Sequence, residues 1–217
     1  GSNIPLELPL GYNREEWRAR WGVNEGGILL SYFGFLNESK GGEVLIQALD
    51  RLVKGGCNIY LLMVGGKVGS SDPTNVAYAQ RLEALIDEQG LGDRVLWTGY
   101  TEAREVSANL VASDICVLPY RDGASFRRGS FMAALVHGLP IVSTQPRVPL
   151  PELVDGRNIV LVTPDDAEAL ADKIADLTES AEWRERLGAG ARELSQAFRW
   201  DGIAKRTLEV YHALSSG

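Results

Sequence analysis

The sequence predicts an α/β fold: a Rossmann-like open, mostly parallel sheet of about six strands, with helices on both faces and a helical C-terminal end. Three observations carry this. Apolar strand-like runs alternate with amphipathic helical stretches almost throughout the chain, as expected of βαβ units covered on both faces. Beyond Pro164 the periodicity turns purely helical. The 217 residues are enough for one sizeable domain with its own core and short for two, so residues 1–217 read as a single domain.

Taken in order, Ile28 to Phe33 is the first strand and leads into Gly34. A helix follows in which Val44, Leu45, Ala48, Leu49, Leu52 and Val53 recur at helical spacing, and Gly55-Gly56 ends it. Ile59 to Val64 forms the second strand, Val95 to Thr98 the third, Ile115 to Leu118 the fourth, Ile141 to Ser143 the fifth and Asn158 to Val162 the sixth. Helices near 76–89, 102–112 and 130–137 fill the gaps. Ala167, Leu170, Ile174 and Leu177 then form one helical face, Trp183 to Phe198 another helix and Ile203 to Leu214 a last one.

Composition bounds the function. Apolar residues at 45% and charged residues at 24% are ordinary for a globular chain, and no apolar run approaches the ~20 residues of a spanning helix. A formal net charge of -7 argues against nucleic-acid binding, which needs a basic surface, while allowing a local basic spot for one small anion. Cys57 and Cys116 both fall in apolar stretches that read as central strands, and a reducing cytoplasm fits them. Two histidines and two separated cysteines suggest no metal site. Gly1-Ser2 reads as the scar of a cleaved tag.

Ligands of open sheets bind beyond the carboxyl ends of the strands, so chemistry is sought in the loops after Phe33, Val64, Thr98, Leu118 and Ser143. In Gly34 to Gly42 the glycines, Lys40 and a helix N-terminus would suit a phosphate; an ordinary connection with Ser39 as N-cap and Lys40 solvated fits the local sequence as well. No Gly-x-Gly-x-x-Gly follows the first strand, and Gly65-Gly66-Lys67-Val68-Gly69-Ser70 has its lysine misplaced for a P-loop. The segment Arg121 to Ser130 sets three arginines beside a helix start, where cations face the positive end of the macrodipole, a penalty an anionic ligand would reverse. The alternative pairs Arg127 and Arg128 with Asp122 or another surface carboxylate. His137 reads as a helix C-cap or packing residue and His212 as a surface residue.

Over roughly residues 25 to 213 the chain resembles the C-terminal domain of the group 1 glycosyltransferases, a retaining family of GT-B fold. The resemblance lies in the order and spacing of Gly34 to Gly41, Val64-Gly65-Gly66, Trp97-Thr98-Gly99-Tyr100, Ala112 to Pro119, His137 to Thr144, Pro151 to Asn158 and Phe198-Arg199-Trp200 to Tyr211. It implies a nucleotide diphosphate sugar as donor substrate and no further cofactor. The diphosphate would be held by Lys40, Arg127 or Arg128 and the amides of Gly34, Gly129 and Ser130, with Gly66 and Ser125 nearby and the base close to Thr98, Gly99 and Tyr100. Lys40, Arg127 and Arg128 would act by stabilising the departing diphosphate. The family's first-loop arginine position is Phe35 here, and its Glu-x7-Glu pair falls on Ser125 and Ala133.

The resemblance further implies an acceptor (glycan, lipid or small molecule) bound through an N-terminal domain that this chain lacks, a cytoplasmic location, and room for peripheral membrane association of the full-length protein. A fragment alone would bind without turnover. Two alternatives stand beside the hexosyl transferase: a non-catalytic nucleotide-sugar-binding or scaffold domain that has lost its ligands, and a sugar-nucleotide epimerase of the same architecture.

Overall fold

Six short, apolar segments become strands: β1 (Ile28–Phe33), β2 (Ile59–Val64), β3 (Val95–Gly99), β4 (Ile115–Leu118), β5 (Ile141–Thr144) and β6 (Val160–Val162). In the computed structural model, which describes residues 2–66, 73–200, 202–204, 208 and 211–212, they form one sheet of order β3-β2-β1-β4-β5-β6. Every pairing is parallel, and β1 runs in register with β2 from Ile28 opposite Ile59 to Phe33 opposite Val64. The Rossmann-like architecture expected from the alternation is therefore present.

Before, between and after the strands lie α1 (Arg14–Arg20), α2 (Gly42–Lys54), α3 (Pro73–Glu88), α4 (Ala103–Ala112), α5 (Gly129–Val136), α6 (Ala167–Glu179) and α7 (Ala181–Ser195). Alternate residues of each strand feed opposite faces. On one face Leu30, Leu61 and Val117 meet Leu45 and Leu49 of α2, Leu82 of α3 and Ile174 of α6. On the other, Leu29, Leu62 and Leu118 meet Leu110 of α4 and Phe131 and Leu135 of α5. Asp166 caps α6 by accepting from the Ala169 amide at 2.9 Å, and Ser180 caps α7 through Trp183 at 3.2 Å.

Several expectations shift. The sixth strand starts at Val160 rather than Asn158, because the Asn158 side chain is spent on the preceding turn, accepting from Val154 N and donating to Glu152 O, each at 2.9 Å. Cys57 lies not in a strand but in the connection before β2, half-buried against the core, whereas Cys116 is buried within β4. The helix expected over Trp183 to Phe198 closes as α7 followed by a 3-10 turn, Gln196–Phe198. Of the last expected helix, Ile203, Leu208, Tyr211 and His212 are helical, while its other residues lie partly outside the described ones.

One helix went unforetold. α1 buries none of its residues; it is fastened by Trp17 and Trp21, whose indoles both donate to Asn109 Oδ1 of α4 at 2.7 and 3.0 Å. Arg18 adds a 2.9 Å ion pair to Asp114, whose Oδ2 also accepts from the Leu29 amide at 2.8 Å.

The strand order reverses about β1: β2 and β3 are laid on one side, β4 to β6 on the other. The loops that leave β1 and β4 therefore part at the same crevice, the place where open α/β sheets bind ligands.

Candidate functional site

Two loops build the site. After β1 the chain turns at Gly34 (φ 121°) and makes a 3-10 turn, Glu38–Lys40, before Gly41 (φ 69°) opens α2. After β4 it runs through Pro119 to Arg128 before α5. The loops lie so close that a β-carbon on Gly41 would stand 1.9 Å from the Pro119 carbonyl oxygen, which excludes any side chain there. Arg121 fastens them, its amide donating to Ser39 O at 2.9 Å and its guanidinium reaching Glu38 at 3.0 Å and Asp165 at 2.7 Å.

Between them opens a cleft of about 620 Å³ lined by Gly34, Phe35, Lys40, Gly65, Gly66, Tyr100, Thr101, Arg127, Arg128, Gly129 and Ser130, with Asn3, Ile4, Phe33, Ala103 and Val106. The sequence-predicted Gly34, Lys40, Gly66, Tyr100, Arg127, Arg128, Gly129 and Ser130 are thus brought together. Ser125, Thr98 and Gly99 stand off its lining. The Thr98 hydroxyl is engaged within the fold, accepting from Gly65 N at 3.0 Å and donating to Gly99 O at 2.7 Å. The Ser125 hydroxyl accepts from the Arg127 amide at 3.3 Å. Lys67 to Ser70 lie outside the described residues.

Lys40 is half-buried rather than fully solvated, and Ser39 caps nothing: its hydroxyl donates to Asn37 Oδ1 at 2.7 Å, and Gly41 is the N-cap of α2. The Lys40 ammonium folds back over Gly34, 2.6 Å from where a β-carbon of that residue would be, with Ser130 Cβ 3.9 Å from the same point. Burial, and then the nearby Arg128 guanidinium, push its pKa from 10.5 down to about 8. The N-terminus of α5 faces the same place, and the amides of Gly129 and Ser130 make no backbone hydrogen bond among the described residues. One expected amide is excluded: Gly34 N donates to Val64 O at 3.0 Å, extending the ladder, so Gly34 can offer closeness but no donor.

The three arginines of the second loop part company. Arg121 is a fastener. Arg128 pairs with Asp122 and lies over the Tyr120 ring, 4.2 Å from its centroid, while Tyr120 Oη shares a 2.7 Å hydrogen bond with Ser130 Oγ. The carboxylate pairing weighed for this residue is therefore real, and Arg128 has both a structural role and a place in the cleft. Arg127 is exposed, and its side chain has no ion pair or hydrogen bond among the described residues.

Phe35, half exposed at 49%, and Tyr100, at 83%, form an aromatic rim. Thr101 was missed by the sequence reading: the residue lines the cleft, and its hydroxyl is buried without a hydrogen-bond partner. Ile4 and Asn3 were missed as well, since a segment so distant in sequence carries no motif. Ala133 is fully buried in α5, so a carboxylate at that position has no counterpart here. His137 caps α5, with Nδ1 2.8 Å from Ala133 O and Nε2 2.8 Å from Ser107 Oγ, and burial lowers its pKa. Among the described cleft residues there is no Asp, Glu or His. The arrangement suits an anion between Lys40 and the start of α5.

A second depression of about 630 Å³ lies between Ile4 to Leu6 and Phe198 to Trp200; none of its lining residues follows a strand end. No helix among the described residues is long and apolar enough to cross a membrane.

Comparison with known proteins gives concordant results. The family model for glycosyl transferases of group 1 matches residues 13–194. A D-inositol 3-phosphate glycosyltransferase of Xylanimonas cellulosilytica is 34% identical over 199 residues, 91% of this chain and 45% of that protein. Among solved structures, sucrose-phosphate synthase from Thermosynechococcus elongatus superposes with a TM-score of 0.80 at 28% identity, over 100% of this chain and 51% of that one. Anabaena HepE, solved in complex with UDP and glucose, gives 0.80 at 22% identity, over 100% and 55%. The chain spans about half the length of the curated relatives it matches.

Proposed function

The chain belongs to the glycosyl transferases of group 1, and from that premise we propose that it is the donor-binding half of an enzyme that transfers a hexosyl group from a nucleotide diphosphate sugar to an acceptor with retention. The observation that carries this reading is the convergence of Lys40 and the N-terminus of α5 on one spot at the sheet's reversal point. The diphosphate sits there, its charge met by the Lys40 ammonium, the Arg128 guanidinium and the amides of Gly129 and Ser130; the base lies toward Tyr100 and Thr101. Among the described residues the cleft has no carboxylate or histidine, so its contribution is to stabilise charge developing on the departing diphosphate, with no cofactor.

In this reading residues 1–217 are one domain, and the acceptor site belongs to a second half outside this chain; the acceptor is a glycan, lipid or small molecule. The whole enzyme works in the cytoplasm, with peripheral contact to the inner face of the membrane if its acceptor is a lipid. The pairing of Arg128 with Asp122 and the aromatic at position 35 favour one rival, a domain that has kept the architecture and lost donor affinity.

Calorimetric titration of the chain with uridine, guanosine and thymidine diphosphates separates the two. Binding of at least one is expected, competed by its nucleotide sugar, with no sugar transfer by the chain alone. Absence of binding to all three would establish the degenerate domain instead.

A further inference from the structure

The cleft is lined by one exposed cation that has no partner within the fold among the described residues. Lys40, Arg127 and Arg128 all line it, and of these Arg128 is already paired with Asp122. A nucleotide sugar carries one negative charge on each of its two linked phosphates. Lys40, Arg128 and the free amides at the start of α5 already answer these, since all of them gather beside Gly34 and Ser130.

Arg127 is then in excess. Its side chain has no carboxylate partner among the described residues, in contrast to Arg128 one position on and Arg121 six positions back. Its backbone amide is already committed to Ser125 Oγ at 3.3 Å, so it brings to the cleft only a guanidinium on a long, unheld stem. The first group beyond the β-phosphate of such a donor is its sugar. A guanidinium with no internal partner suits a planar oxyanion, which it binds in a bidentate fashion.

Resting on the donor reading above, we propose that the donor sugar is acidic, of the uronic acid class, and that Arg127 is the specificity-determining residue that binds its carboxylate. A neutral sugar would leave the Arg127 guanidinium unanswered.

The test uses two donors that differ only in this group. On the chain as it stands, UDP-glucuronic acid is expected to bind at least tenfold more tightly than UDP-glucose; if guanosine diphosphate is the nucleotide that binds, GDP-mannuronic acid and GDP-mannose take their place. Arg127→Ala should bring the ratio of the two affinities to about one, and Arg127→Lys should restore part of it. Equal binding of the acidic and neutral donors by the unaltered protein would overturn the proposal while leaving the donor reading intact, as would a preference that survives Arg127→Ala. Failure of every nucleoside diphosphate to bind removes the donor reading itself and this proposal with it.

Discussion

Two arginines of the loop after β4, six residues apart, have opposite fates. Arg121, about a third exposed, is held by Glu38 and Asp165 and ties that loop to the one after β1. Arg127 is exposed in the cleft with no such partner. The same side chain thus builds the frame at one end of the loop and has no side-chain partner among the described residues at the other. What separates them is whether a carboxylate from another element reaches the spot: one from the 3-10 turn and one from the stretch before α6 reach Arg121. Frame and site can be broken independently.

The largest expected effect comes from breaking the frame. Gly41→Ala adds a methyl group where the Pro119 carbonyl stands 1.9 Å away, at a φ of 69° that L-residues adopt with strain. Loss on the order of 3 kcal/mol or more is expected, read as a fall in thermal midpoint together with loss of nucleotide binding. A protein that melts like the parent would show that the two loops are not docked as described.

Breaking the site at Lys40 should leave the frame standing. Lys40→Ala is expected to weaken nucleoside diphosphate binding by about 1.5–3 kcal/mol, or roughly ten- to a hundredfold, with no loss of thermal stability in the unliganded protein. The stability half of that expectation follows from the sign of its shift. Its folded-state pKa of about 8 lies below the ordinary 10.5, so protonated Lys40 disfavours the fold below about pH 8, and this is relieved as pH rises toward 10.5. Binding moves the other way: a bound diphosphate holds the proton on Lys40, so affinity should be level below about pH 8 and fall above it by up to about tenfold per pH unit. Affinity that stays flat to pH 10 would take Lys40 out of the anion site.

The smallest effect is at Arg121, whose two ion pairs are partly exposed and contribute about 0–1 kcal/mol each. Arg121→Ala should lower the melting midpoint by a few degrees at most and change nucleotide affinity less than Lys40→Ala does. A larger loss of affinity than at Lys40 would mean that frame and site are not separable.

Much of this was legible in the sequence. Continuous apolar runs announced all six strands to within a residue or two, because strand pairing and burial depend on local composition. The crevice was legible too, since the rule that loops at strand ends bind ligands needs only the order of elements, and Lys40 and Arg127 to Ser130, which it singled out, do line one cleft. Illegible was everything decided by partners distant in sequence. That Gly34 N is used by Val64, that Thr98 serves Gly65, that Arg121 faces Glu38 and Asp165, and that Ile4 reaches the cleft all depend on tertiary placement. α1 escaped for another reason: with no buried residue it has little apolar stripe to detect, and what places it is Asn109, nearly ninety residues away.

That mode of attachment sets how α1 behaves. A helix that buries no residue fully, and is docked by two half-buried indoles and the ion pairs of Arg14 and Arg18 to Asp114, can come away at a smaller loss of packing than a helix seated in the core. Its amides then exchange with solvent through a local opening well below the energy of global unfolding. Because the shared acceptor is lost at the same moment by Trp17 and Trp21, the opening carries its own fluorescent reporter in the native chain.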